Sequence, residues 1–528
     1  MKKLANLFQL IKSLSKSEKR YFKVFVGKHS SGKDRNYVQL FDAIDKQNTF
    51  DEASLLAYLE RLKIKTTYLA ADQNYLYKLI LKSLRNYHAG KTISLKIKEE
   101  LEYVEILFNR GLHQQCNKVL QKAKTKATKL NFHALLLETI TWEQKLANVS
   151  QNFQTIENSI AQLNETTNIL QNYNEYVALY HKSYLLRKAN DKARNEKSVQ
   201  EFENFMKHQL LESEENALSF RAKIRFYEIY TNFYHTTNQL LQEYESTLAI
   251  RSIIEKQTTF IQEDPVFYMA NLHQLVKLER KLKPHLFKAS LQKWRAIPNQ
   301  VKKAKEELRI DVLMLSYGEE MNLLLNHGFF REALKLKKNI EVLLNNQASK
   351  IAVTYRISAY YRFVYLYIGL NDFDNALTYI NILLGDFENS NRPDLYSFAR
   401  LLNLIIHYEL SNFYLLEHIE KTTYNYFKRH QSLYKVEKRI FSFFRNIVYL
   451  KDIHHLRQDA FKQLWQDFKI ILEDKFEQSA LSYFDLLSWA ESKATNQNFG
   501  QTVQKNNPLP QNLNLHDMLD SDILTKKS

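Results

Sequence analysis

What the chain has little of narrows the field first. A single cysteine, Cys116, occurs in 528 residues; an internal disulfide and any cysteine-based zinc cluster are therefore excluded, and a reducing cytoplasm is the expected compartment. Nine glycines and six prolines are few for this length. Strand-rich folds need frequent Gly/Pro turns and α/β folds need glycine-rich loops, so the scarcity points to long helices joined by short polar turns. No run approaches the ~18 uninterrupted apolar residues of a membrane span. The N-terminal stretch MKKLANLFQLIKSL starts like a secretion signal, but Asn6, Gln9 and Lys12 interrupt it and no small-x-small cleavage site follows.

What is present is aromatic and basic. Phe, Trp and Tyr make up 13% of the chain, ample for a core, and the net charge is +17. Residues 1–100 hold 20 Lys/Arg against 10 Asp/Glu, an asymmetry that suits either an anionic partner for the N-terminal part or a solvated basic surface. In this region Ser15-Lys-Ser-Glu18 reads as a capping box, opening a helix from Lys16 to about Val26. Helices are also expected over 4–14, from 36, over 51–62 and over 68–87, with Gly90 as a stop. Together they form a basic helical module, residues 1–91. Gly27-x-x-x-x-Gly32-Lys33 matches the first seven positions of a phosphate-binding loop, but Asp34 stands where Ser or Thr must hold Mg²⁺. No alternating strand–helix pattern follows, so a polar interhelical loop is the expectation for residues 27–33.

From about residue 92 the chain becomes repetitive. In YYRFVYLYIGLNDFDNALTYINILL, Tyr360, Phe363, Val364 and Tyr367 recur at helical spacing. Asn371-Asp372 makes a short turn, and a second helix carries Phe373, small Ala376, Ile380 and Leu383. Gly111-x-His113-x-x-Cys116 and Gly328-x-Phe330-x-x-Ala333 share the spacing from turn to small residue; Phe153-x-x-Ile156 and Phe413-x-x-Leu416 are weaker versions. The anchors 116, 156, 333, 376 and 416 fit a period of about 40–46, with Ser198, Leu240 and Phe287 filling the gap and Ala460 extending the series. At these positions the stretch resembles a tetratricopeptide repeat, with the family's Gly-Asp turn replaced by Asn-Asp. As a whole the chain resembles uncharacterised bacterial proteins that pair a Ser-Lys-Ser-Glu-Lys-Arg-Tyr-Phe segment with degenerate repeats, a likeness that brings no known activity.

The resemblance implies an all-α, right-handed solenoid of about nine antiparallel helical hairpins over 92–493, each burying its apolar face on its neighbours. In tetratricopeptide-like proteins the concave surface binds peptides or protein segments. Carried onto this chain, the exposed first-helix positions would be Ser358, Tyr361, Arg362 and Tyr365, with Asn322 one repeat earlier. Tyr offers rigid contact area and Arg can hold a carboxylate bidentately; alternatively the tyrosines are interhelix packing. Residues 494–528 gather Asn, Gln, Pro508 and Pro510 and read as a disordered tail. Within it Leu513–Leu524 is acidic and apolar, suited to a partner or to the chain's own groove.

No catalytic, cofactor or metal constellation emerges. Cys116 takes the small-residue slot of its repeat, His454-His455 cannot face one metal on a helix, and no His-Glu-x-x-His spacing occurs. The function expected is a non-catalytic protein- or peptide-binding scaffold, with acidic segments among its expected partners. The alternative is a peptide-sensing regulator whose N-terminal module binds nucleic acid through Lys16, Lys19, Arg20, Lys23, Lys28, Lys33 and Arg35.

Overall fold

Every regular element of the computed structural model is helical. The structure describes residues 2–29, 35–61, 69–90, 92–301, 306–386, 392–450 and 453–509, and no strand occurs among them. None of the helices among the described residues is long and apolar enough to cross a membrane. The chain forms two compact units, Met1–Thr167 and Asn168–Ser528.

The first unit opens with α1 (Lys2–Ser13), α2 (Lys16–His29), α3 (Arg35–Lys46), α4 (Glu52–Arg61) and α5 (Leu69–His88). Leu7, Ile11, Phe22, Phe41, Ile44, Leu59, Leu76 and Ile80 form their shared core. The capping box is in place: the Ser15 N–H donates to Glu18 Oε2 at 2.8 Å and the Glu18 N–H to Ser15 Oγ at 3.3 Å. Glu18 also meets His88 Nε2 at 2.7 Å, tying α2 to the end of α5. Helix α2 runs to His29, so Gly27 lies within a helix and not in the polar loop expected there. Gly32, Lys33 and Asp34 lie outside the described residues. A second cluster in this unit, built on Ile97, Leu101, Val104, Cys116, Leu120 and Ile140, joins α6 (Ile93–Asn109), α7 (His113–Lys129) and α8 (His133–Val149).

Helix α9 is a single 38-residue element, Phe153–Asn190, that spans the boundary between the units. A helix does open at Phe153, after a left-handed Gln151, where the Phe153-x-x-Ile156 spacing expects one, but it runs unbroken for 38 residues. Phe153 is 72% exposed, and no glycine or proline interrupts the helix after it.

The second unit continues with α10 (Glu196–Met206), α11 (Phe220–Thr236), α12 (Leu240–Lys256), α13 (Thr258–Glu263), α14 (Pro265–Leu282), α15 (Pro284–Arg295) and α16 (Ile297–Gln300). It then runs through α17 (Glu306–Asn326), α18 (Phe330–Gln347), α19 (Val353–Gly369), α20 (Phe373–Asp386), α21 (Pro393–Glu409) and α22 (Phe413–Arg429). Helices α23 (Lys435–Ile447), α24 (His454–Ile471), α25 (Leu486–Ala494) and α26 (Phe499–Asn506) complete it. Consecutive helices pack as neighbours, and α14, α17, α19 and α21 also touch in sequence, skipping their partners.

One turn recurs throughout. Gly111, Asn131, Gln151, Asn238, Gly328, Asn371, Ser411 and Gln431 all have φ between +52° and +73°. In each case the next residue's N–H reaches back five residues, as in Leu112→Leu107 (3.0 Å), Phe329→Leu324 (2.9 Å) and Asp372→Tyr367 (2.9 Å). This Schellman closure satisfies the last carbonyls of one helix, and except after Gln431, where the next helix starts at Lys435, the following helix begins two residues after the left-handed position. Asparagine tolerates that conformation, so Asn371-Asp372 makes the same turn that Gly111 and Gly328 make elsewhere in this chain. Beyond it the small slots are closed: Cys116, Ala333, Ala376 and Leu416 are fully buried, and so is Phe287.

Helical order continues past residue 494. Helices α25 and α26 are capped by Asp485 and Asn498 and bury Trp489, Phe499, Thr502 and Val503. The tail expected from 494 is therefore folded as far as Asn506. Residues 510–528, including Leu513–Leu524, lie outside the described residues.

Candidate functional site

Two faces of the second unit matter. The first carries the expected peptide-groove tyrosines, and the chain's own C-terminal segment fills it. Tyr361 is 5% exposed and donates its hydroxyl to the Tyr483 carbonyl at 3.3 Å. Tyr365 is 6% exposed; its hydroxyl accepts from the Asp485 N–H at 3.4 Å and its ring lies 4.7 Å from Phe484. Phe398 stacks on Tyr483 at 4.1 Å, and Phe330 packs on Phe499 at 5.7 Å. Burial pushes both tyrosine hydroxyls above their ordinary pKa. Tyr361 and Tyr365 are thus packing residues and not an open surface, because segment 483–503 supplies the apolar partner that the helix face demands.

The second face is polar. It is built by the end of α9 and the following turn (Arg187, Asp191, Lys192), by α11 and α12 (His235, Glu243), and by α14 (His273, Lys277, Arg280, Lys281). Helices α17 and α19 add Glu319, Asn322, Ser358 and Arg362, and the start of α21 adds Arg392 and Asp394. Mutual charge interactions link them: Lys277 feels Arg187, Glu243, Glu319 and Arg392; Lys281 feels Lys192 and Arg280; Arg392 feels Asp191. The sequence-expected residues Asn322, Ser358 and Arg362 belong here. Arg362 Nε donates to Asn322 Oδ1 at 2.8 Å, and Arg392 Nη1 to Ser358 Oγ at 3.1 Å. The Arg362 guanidinium lies on Gly318, where a Cβ would come within 2.9 Å of its Cζ.

The carboxylates hold fixed positions. Glu319 accepts from His273 and Arg280, both at 3.2 Å. Burial alone would raise its carboxyl, but the His273 hydrogen bond and the Arg280 charge hold it far below the usual carboxylate range. Burial, the largest influence, lowers the His273 pKa, while its bond to Glu319 opposes that shift. Asp394 is held by Arg392 at 2.7 Å. Glu243 meets His235 at 3.0 Å and accepts from Gln274.

Several cations, by contrast, have no carboxylate of their own among the described residues. Arg187 bonds the Asn232 amide (3.0 Å), Lys192 the Asn238 amide (2.8 Å), and Lys277 reaches only Gln274, at 3.5 Å. Lys281 meets no hydrogen-bond acceptor among the described residues. Lys281 is exposed at the rim of the recess, and the surrounding protein, then Lys192 and Arg280, lower its pKa below the ordinary lysine value. Burial likewise lowers Arg362 to about 10. Among the described residues, seven cations face four carboxylates across this recess. A cavity of about 210 Å³, lined by Arg187, Asn232, Asn271, Gln274 and the rings of Tyr180 and Tyr184, adjoins it. Such a surplus of fixed donors is chemically equipped to hold an anion.

No family model, curated protein or solved structure matches the chain. The functional reading therefore rests on this geometry.

The N-terminal basic patch is partly neutralised. Lys19 pairs with Asp45 at 2.6 Å and Lys23 with Asp42 at 2.7 Å, while Lys16 and Arg20 are exposed. Lys33 lies outside the described residues, as do the side chains of Lys28 and Arg35. Sequence reasoning missed Arg187, Lys192, His273, Lys277, Lys281 and Glu319. The spacing of His273, Lys277 and Lys281 places them on one helix face, and that was the available signal.

Proposed function

We propose that the chain is a non-catalytic binding scaffold, an α-solenoid of tetratricopeptide-like hairpins whose inner helices α11, α14, α17, α19 and α21 present the polar recess to an acidic protein or peptide segment. The observation that carries this reading is the set of cations without carboxylates, Arg187, Lys192, Lys277, Lys281 and Arg362, gathered from three separate helices and one turn. The covered face supports it as well, since α19 and α21 already accommodate polypeptide in the form of segment 483–485. Nucleic-acid binding by the N-terminal module is the weaker reading, because Asp42 and Asp45 neutralise half of the helix-face cations Lys16, Lys19, Arg20 and Lys23.

Titration of the full chain with labelled acidic peptides such as hexaglutamate, at low and high salt, tests the proposal. Binding should weaken with salt and disappear in Lys277→Glu/Lys281→Glu. Affinity that is indifferent to both would refute it.

A further inference from the structure

Resting on the acidic-segment reading above, we infer that the recess has an occupant within this same chain: the segment Leu513–Leu524, whose Asp517, Asp520 and Asp522 face Lys277, Lys281 and Arg362. Three observations carry the assignment. The first is where the described chain ends. The His327 ring Nδ1 donates to the Asn507 carbonyl at 2.8 Å, and Asn507 Nδ2 donates to Asp485 at 3.0 Å. His327 follows the end of α17, and α17 packs on α14, so the chain leaves the folded unit beside a neighbour of the helix that carries Lys277 and Lys281.

The second is reach. Asp517 follows Leu509 by eight residues, which span at most ~26–29 Å. Helix α14 has 18 residues, ~27 Å of length, so the reach to the first aspartate matches the length of that helix. The third is complementarity. Asp517, Asp520 and Asp522 are the only carboxylate side chains after Glu491, and they stand on a protein of net charge +17, against a recess with three more cations than carboxylates.

The tyrosine face of α19 is closed to this segment, because Tyr483, Phe484 and Asp485 already lie on it. That leaves the cationic recess as its place. A tethered segment acts at millimolar effective concentration, so a partner's acidic segment must displace it to bind.

The test uses full-length protein and full-length Asp517→Asn/Asp520→Asn/Asp522→Asn, each titrated with a labelled peptide of residues 513–524 and, separately, with hexaglutamate. With the internal competitor disarmed, the triple variant should bind the 513–524 peptide about tenfold or more tighter than wild type. Adding Lys277→Glu/Lys281→Glu should remove that binding. Lys281→Gln, a milder change to a side chain with no acceptor, should weaken it in a protein with an unchanged melting temperature. Equal affinity of wild type and triple variant for the 513–524 peptide would overturn the inference. So would binding of hexaglutamate alone, which would leave the acidic-segment reading standing. Binding of neither probe by the triple variant would overturn both.

Discussion

Two glycines in the same turn conformation separate the cost of the turn from the cost of the C-terminal docking. Gly111 has φ +72° and open space where a Cβ would stand. Gly328 has φ +73°, but a Cβ there would lie 2.5 Å from the Gly500 carbonyl oxygen and 3.0 Å from Gln504 Cγ. Alanine at either position bears the left-handed penalty, ~1–2 kcal/mol. At Gly328 it must also displace backbone, an overpacking cost of ~1–3 kcal/mol. The displaced element is α26, which buries Phe499 and Val503 and bonds Gly328 through Gln504 Nε2 at 3.1 Å. We expect Gly111→Ala to lose ~1–2 kcal/mol, and Gly328→Ala ~2–5 kcal/mol as the sum of the two terms. Because the chain has two units and need not melt in one step, the decisive assay is hydrogen exchange. Amides of 499–506 should exchange faster in Gly328→Ala and stay unchanged in Gly111→Ala. Equal destabilisation of the two variants, with 499–506 equally protected, would refute the reasoning.

Other variants probe the rest of the fold. Ala376 is fully buried in its hairpin, so Ala376→Leu should overpack it and cost ~1–3 kcal/mol, read as a lower melting temperature of the second unit. Arg194 joins Glu477 at 2.7 Å and Glu437, carboxylates that are almost wholly buried, and lies 4.0 Å from the Tyr434 ring. Arg194→Ala should cost ~3–5 kcal/mol by leaving two buried acids without their cation, measured by denaturation. Glu319 has a folded-state pKa below its unfolded value, so its contribution is present above the ordinary carboxylate pKa and is lost as pH falls. Stability of wild type should therefore drop faster than that of Glu319→Gln on acidification below about pH 4.5, in parallel thermal melts.

Local chemistry was legible in the sequence where a few neighbouring residues decide the outcome. Ser15 and Glu18 cap a helix because their spacing suits the geometry, and Ala376 with Asn371-Asp372 makes a hairpin for the same reason. The opening of α9 at Phe153 was legible from Phe153-x-x-Ile156, but its length was not, since no glycine or proline between Phe153 and Asn190 marks where a repeat-sized helix would stop. In 494–509 the Asn/Gln composition masked a short apolar stripe, Phe499, Thr502 and Val503, that closes on Gly328. The recess was the least accessible feature. Lys192, Lys277 and Arg362 lie far apart in sequence, and only the packing of α9, α14 and α19 places them in one field, where Lys281 is deprotonated more easily than an isolated lysine.

Arg194 and its neighbours set a schedule for the chain's birth. Glu437 and Glu477 follow Arg194 by 243 and 283 residues, and the Asp191–Tyr483 contact spans 292. At a synthesis rate of ~5–20 residues per second, the second unit waits roughly 14–57 s between the appearance of Arg194 and that of its last partner. Throughout that interval α11 to α22 emerge with the faces of α19 and α21 uncovered, and Phe330, Phe398 and Tyr365 are then sticky surface rather than interior. The final residues of the folded segment thus convert a nascent chain in need of protection into one that can be released.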